Sequence, residues 1–351
     1  MRKTLRAAHR MAAPLRRSLC VLAICASALP IPEASGQETE QWITFEPGVG
    51  AGNGRHIVLI SGDEEYRSEE ALPMLAKILS ARHGFKTTVL FAIDPETGEI
   101  DPDNQNNIPG MENLRTAELM VLFTRFRELP LEQMRHFDEY LQAGKPIVAL
   151  RTATHAFNDS GSLDSPYAKY AYQSEVPGWD GGFGRQVLGE TWIDHHGNHG
   201  TEGTRGLIDG IMERRDHPIL RGVADIWVPT DVYGTRELEG DVDVLVWGQP
   251  TAGMTPDAPP NWRKSIMPVA WTKLYTSEAG NAGRVFTTTM GSAMDLENEG
   301  LRRLLVNACY WAIGLEDRIP EKSSVEIVGE YEPTLFGFGG YKKGLRPADY
   351  R

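Results

Sequence analysis

The chain reads as an α/β protein built on a parallel sheet, and three observations predict that class. Apolar runs at His56–Ser61, Lys86–Phe91 and Glu118–Phe123 alternate with helical periodicity, and the order strand, helix, strand calls for parallel pairing. The strands end in polar turns: GDEEYR after the first, TRFR after the third and RTATHAF after a fourth at Val148–Leu150. In open parallel sheets, ligands sit beyond the carboxyl ends of the strands, which is where these turns fall.

Each element has a local reason. After HIVLIS, Leu72, Leu75, Ala76 and Leu79 recur at helical spacing, with Ser68 as the expected N-cap and Pro73 near the first turn. Asp94–Asn107 is rich in Asp, Asn, Pro and Gly and reads as a loop. The helix after the third strand carries Leu131, Met134, Tyr140 and Leu141 and stops at Gly144. Asp159–Gly184 reads as an insertion over the sheet, because Tyr167, Tyr170, Tyr172, Trp179 and Phe183 need a surface to pack on. Beyond Glu190, short strands at Thr204–Ile208, Ile226–Tyr233, Val242–Trp247, Met267–Thr272 and Val285–Thr289 extend the sheet, partly antiparallel. Leu301, Leu304, Leu305, Ala308, Cys309 and Ala312 trace one face of a closing helix ended by Gly314, which makes Cys309 a core residue.

Residues 1–36 are expected to be a signal peptide: Arg2, Lys3, Arg6, Arg10, Arg16 and Arg17 precede a short apolar run from Leu19 to Leu29. Export to the periplasm or the extracellular space follows, with no stable membrane insertion once the leader is cleaved; an uncleaved anchor is the competing reading. Residues 37–54 form a lead-in, 55–318 one domain and 319–351 a tail with FGFGGYKKG. That tail is expected to wrap the surface or meet a neighbouring subunit, so a homo-oligomer is a candidate state. The whole chain has 36 Lys+Arg and 48 Asp+Glu; losing the six leader cations and Glu33 leaves 30 against 47. A net charge near −17 excludes nucleic acid as a natural partner. Cys20 and Cys25 lie in the leader, so Cys309 alone remains and no internal disulfide can form.

The densest chemical cluster is Asp194-His195-His196-Gly197-Asn198-His199, with three of the nine histidines. Imidazole binds metals and moves protons near neutral pH, so His195, His196 and His199 are candidates for a divalent ion such as Zn²⁺, although the spacing matches no standard zinc signature. A solvated loop is the bland alternative. Asp63, Glu64, Glu65 and Tyr66 follow the first strand, where acids can also serve the adjoining helix start. Arg125 and Arg127 offer rigid donor forks for oxygen-rich ligands, or simply salt bridges. Arg151 and His155 occupy the fourth turn, and Asp295 follows the last strand. Trp179 and Trp192 adjoin the insertion and the histidine loop.

In order and spacing, HIVLISGDEEYRSEEALPMLAKIL, VLFTRFRELPLEQMRHFDEYLQAGKPIVALRTATHAF, RRDHPILRGVADIW and PVAWTKLYTSEAGNAGRVFTTTMG followed by LRRLLVNACYWAIG resemble the ThuA-like (trehalose utilisation) family. That family is a branch of the class I glutamine amidotransferase-like superfamily. The resemblance covers about residues 55–315. It implies a flavodoxin-like three-layer sandwich with a mainly parallel central sheet, and a link to trehalose and related disaccharides, including 3-keto sugars. Amidotransferases of the superfamily carry a Cys at the strand–helix elbow, where this chain has Arg151 and Thr152, so thiol-dependent glutamine hydrolysis is not expected. The expected function is an exported carbohydrate-active enzyme using His196 and Glu65 for proton transfer. Arg151, His155, Arg125, Tyr66 and Asp295 would bind the sugar. The alternative is a non-catalytic sugar- or metal-binding module on the same fold.

Overall fold

The computed structural model describes residues 40–158, 165–207, 216–236, 238 and 240–351. The expected leader, part of the insertion and Ile208 lie outside the described residues. The strands are β1 (Trp42–Phe45), β2 (His56–Gly62), β3 (Lys86–Leu90), β4 (Leu119–Thr124), β5 (Ile147–Leu150), β6 (His195–His196), β7 (Thr204–Leu207), β8 (Ile226–Val228), β9 (Val232–Tyr233), β10 (Val242–Pro250), β11 (Met267–Thr276) and β12 (Ala282–Thr288). The α-helices are α1 (Ser68–His83), α2 (Leu131–Gln142) and α3 (Glu299–Ala312). Among the described residues, a ten-stranded sheet has the order β1-β3-β2-β4-β5-β12-β11-β10-β7-β8, and β6 pairs with β9 apart from it. β3, β2, β4, β5 and β12 are parallel, while β11, β10, β7 and β8 continue the sheet in antiparallel fashion.

The parallel strands are buried on both faces, as near-continuous apolar runs require. Along β2, Ile57 and Leu59 enter one core while Val58 and Ile60 enter the other; in β4, Leu119, Val121 and Phe123 oppose Met120 and Leu122. α1 and α3 supply Leu72, Leu75, Leu304 and Leu305 to the first core, and α2 supplies Met134, Phe137 and Tyr140 to the second. This is the α/β three-layer arrangement expected for a flavodoxin-like fold. Each such side chain removed from water contributes roughly 1.5–3 kcal/mol. Cys309 lies in the first core, where burial raises its thiol above the ordinary range.

Two local readings change. The lead-in contains β1, which pairs antiparallel with β3 and sends Ile43 into the first core; its four residues WITF are too short to show a period. Ser68 is the first residue of α1 rather than its N-cap, a position held by Arg67 at φ 60°. The Ser68 hydroxyl instead accepts a hydrogen bond from the Asp63 amide and pairs with Ser61 Oγ, closing the turn that follows β2.

The connectivity selects one crevice. From β2 the chain crosses to β3 on one side, then returns past β2 to β4 on the other. The carboxyl ends of β2 and β4 therefore flank the topological switch point, where open α/β sheets bind ligands.

Glu69, in the first turn of α1, is buried with neither carboxyl oxygen partnered, and burial pushes its pKa up to about 8. Because the folded value lies above the unfolded one, its contribution is complete below about pH 4.3 and is lost as pH rises towards 8. Glu69→Gln should therefore stabilise the protein at pH 8 and change little at pH 4. Urea denaturation across this range checks it, and parallel pH profiles for the two proteins would refute it.

Candidate active site

At the switch point, buried carboxylates are held by convergent donors. Asp63 Oδ1 accepts from the amides of Glu65 (2.7 Å) and Tyr66 (2.6 Å), and Oδ2 accepts from the Thr152 hydroxyl. Glu64 bridges the crevice: Arg125 pairs with one oxygen, and the enclosed Arg127 donates to the other at 2.6 Å. Arg127 also donates to the carbonyls of Pro102, Asn104 and Arg125, so its guanidinium ties the loops beside β4 together.

Glu65 is buried beneath the more exposed Arg125 and His199. Its Oε2 lies 3.6 Å from Arg125 Nε and its Oε1 lies 3.3 Å from His199 Nε2. Burial raises the Glu65 carboxyl above its ordinary range, against the pull of Arg125. His199 Nδ1 reaches Asp231 Oδ1 at 3.0 Å, and His195 Nδ1 reaches Asp231 Oδ2 at 2.6 Å. Asp231 is enclosed, whereas the His195 and His199 side chains remain 33% and 39% exposed, so the line Glu65–His199–Asp231–His195 has a dry base and an open top. Burial alone would raise the Asp231 carboxyl; the His195 hydrogen bond and Arg151 hold it below the ordinary range.

The residues expected to bind substrate divide. Arg125 keeps 18% exposure beside Glu65. Arg151 is enclosed, with its Nη1 donating to Thr230 Oγ1 (3.2 Å), the Asp231 carbonyl (2.7 Å) and the Thr289 carbonyl (3.1 Å). Its guanidinium also lies 3.7 Å from the centre of the Tyr66 ring. Tyr66 and Asp295 are equally buried; Asp295 accepts from Thr230, Gly291 and Ser292. His155 is enclosed by Phe126, Trp192 and Tyr233, and burial foremost, then Arg125, keeps its imidazole far below its ordinary pKa. Arg151, His155, Tyr66 and Asp295 thus form the floor under the site rather than the surface a ligand meets.

The histidine cluster is corrected too. β6 is a strand, so neighbouring side chains leave on opposite sides. His196 Nε2 hydrogen-bonds the Ser265 carbonyl at 2.7 Å, away from the cluster that His195 joins. Among the described residues, the group able to hold a metal is His195, His199 and Asp231, whose donor atoms lie within 4.8 Å of one another. Asp231 was missed because Ile226–Tyr233 reads as one strand; the chain breaks at Val228-Pro229-Thr230-Asp231, and Pro229 inside the run was the available signal. Aromatic rings surround the cluster: Trp192 and Tyr233 on His195, Tyr66 and Phe336 on His199.

The fold is an α/β sandwich with an acid–imidazole cluster and no cysteine at its switch point. The chain belongs to the ThuA, or trehalose utilisation, family, whose model matches residues 57–312. It is similar to the crystal structure of a ThuA-like protein from Parabacteroides merdae, at 16% identity and TM-score 0.46, covering 81% of this chain and 97% of that one. A ThuA-like protein from Bacteroides uniformis is similar at 16% identity and TM-score 0.45, with 76% and 94% covered. No curated protein matches the chain.

Removing Arg127 takes the partner from one oxygen of the buried Glu64, leaves Arg125 on the other, and frees the carbonyls of Pro102, Asn104 and Arg125. Arg127→Met should destabilise the fold by about 3–5 kcal/mol, and adding Glu64→Gln should restore part of the loss. Chemical denaturation of both variants checks this; a double variant weaker by the full sum of the single effects would show that the ion pair is not the cause.

Proposed function

We propose that this chain is an exported carbohydrate-active protein that acts on a disaccharide or a 3-keto-glycoside by acid/base chemistry, with Glu65 and His199 moving the protons. The observation that carries this reading is the 3.3 Å approach of Glu65 Oε1 to His199 Nε2 at the open edge of the sheet, with the far side of His199 held by Asp231. Burial favours the protonated form of Glu65, which suits it to donate, and an imidazole oriented by a carboxylate is suited to accept a proton. His199 takes the role first expected of His196, whose ring is committed to Ser265.

On a 3-keto-glycoside, the keto group acidifies the C2–H bond. His199 would take the C2 proton, the C1–O bond would break as the C1–C2 double bond forms, and the Glu65 proton would pass to the departing oxygen. Arg125, half in the opening, would bind sugar oxygens, and Trp192 would offer a flat face to the ring. The basic, apolar leader supports action outside the cytoplasm.

Two imidazoles and one carboxylate within 4.8 Å are a donor set that suits Zn²⁺, so His195, His199 and Asp231 would hold a divalent ion. A bound ion would polarise a sugar oxygen. With such an ion in place, His199 would serve as a ligand rather than as the base, and Glu65 would remain the group free to move a proton.

Turnover of trehalose and 3-keto-trehalose, with added Zn²⁺ and with chelator, tests the proposal. Glu65→Gln and His199→Ala should each lower turnover by roughly 10²- to 10⁴-fold, while His196→Ala should leave most of it. Asp231→Asn should abolish Zn²⁺ uptake measured on purified protein. If wild-type protein binds these sugars but never converts them, a non-catalytic binding module is the correct reading.

A further inference from the structure

His199 lies on the glycine-flanked loop Gly197–Gly200, and its Nδ1 contact with Asp231 fixes one edge of the ring. Its Nε2 lies 3.3 Å from Glu65 Oε1, and these two contacts, at opposite ends of the ring, leave its tilt about the line between them to be set by what packs on its face. That packing comes from the far end of the chain. Phe336 stacks on Tyr66 at 5.6 Å with an interplanar angle of 27°, and its ring centre lies 5.2 Å from that of His199. Because Tyr66 is immobilised in the floor, Phe336 is a fixed plate against which His199 rests.

The segment that carries Phe336 is tied to the site loop at successive residues. The Gly337 amide donates to the Glu65 carbonyl at 2.7 Å, and Arg67 Nη2 donates to the Gly337 carbonyl. Thr334 donates to both oxygens of Glu70, from its amide at 2.7 Å and its hydroxyl at 2.9 Å, and accepts from Arg67 Nε. Tyr331 donates to the Ala293 carbonyl at 2.6 Å. Arg67 is itself enclosed, with Nη1 turned to the carbonyls of Glu64 and Glu65, so one guanidinium grips strap and site loop together. A Cβ on Gly340 would stand 2.4 Å from Arg67 Nη2, which shows how closely the strap is seated. Phe338, 65% exposed, then leans over the Arg125 guanidinium at 5.1 Å.

We propose that Thr334–Phe338 is a working wall of the site and that Phe336 is a positioning residue for His199. The inference rests on the assignment of His199 to the site chemistry but concerns a segment beyond residue 312, outside what the family model matches.

The test compares wild type, Phe336→Ala, Phe336→Tyr and the remote anchor variant Thr334→Val. Modification of histidines by diethyl pyrocarbonate, mapped by mass spectrometry at one pH, reads the His199 ring without metal or substrate. Phe336→Ala should speed modification of His199 several-fold and leave His195 unchanged, Phe336→Tyr should restore the wild-type rate, and Thr334→Val should shift it in the direction of the alanine variant. Thermal midpoints within a few degrees of wild type would show that the fold is intact. Zn²⁺ affinity by calorimetry should fall roughly 10- to 100-fold in Phe336→Ala, the range for residues that orient a ligand. An unchanged His199 rate in both Phe336→Ala and Thr334→Val overturns the positioning role. Wild-type protein that takes up no Zn²⁺ but shows the predicted His199 rates removes the metal from the proposed function and supports the strap.

Discussion

A carboxylate taken out of water must be met by donors, and this one requirement organises the carboxyl edge of the sheet. Asp63, Glu64, Asp231 and Asp295 are all buried there, and each recruits groups from a different part of the chain. Asp63 binds the turn after β5 through Thr152, Glu64 binds the turn after β4 through two arginines, and Asp295 binds Thr230 beside β9. Thr152, Arg125 and Thr230 stand about 60 to 90 residues in sequence from the carboxylates they meet. The strand ends are therefore stitched across the switch point by charge and hydrogen bonding, while the apolar cores below hold the layers together.

The turn after β5 directs its strained residue inward rather than over the sheet. A nucleophile elbow depends on a strained backbone that thrusts a side chain upward over the sheet. Here Arg151 has φ 44°, in the left-handed region unfavourable to a branched chain, yet its side chain turns into the protein. The guanidinium lies under Tyr66 and braces the Thr230–Asp231 backbone from below. Since Asp231 in turn holds both histidines, Arg151 serves as a post beneath an imidazole pair.

Much of the fold was legible because its signals are local. Apolar runs of five to seven residues, turn acids and the period of α3 are each contained in one window, and the parallel order follows from alternation. The site was legible only in part. Glu65, Arg125, His195 and His199 stand in conspicuous turns, and the structure brings them together. What sequence could not assign is the direction of each side chain. A two-residue strand sends His195 and His196 to opposite sides, and Arg151 and His155 point into the floor although their turn ends at the crevice. Asp231 and Phe336 were hidden for different reasons: one by a strand that breaks at Pro229, the other by a tail without periodicity whose contacts lie more than a hundred residues away.

The site thus has two mechanical regimes. Tyr66, Arg151, His155 and Asp295 are dry, interlocked and without freedom to rearrange on ligand entry. Above them, His195, His199, Arg125 and Phe338 retain exposed surface; the histidines adjoin Gly197 and Gly200, and Phe338 lies on the C-terminal segment. A rigid base with an adjustable rim separates the demands of orientation from those of access. Because the rim includes the C-terminal strap, whose amide at Gly337 is bonded to the carbonyl of Glu65 itself, displacement of the strap would be felt at Glu65 as well as at His199. These two side chains are therefore coupled through one short run of backbone, and neither can be understood from the sheet alone.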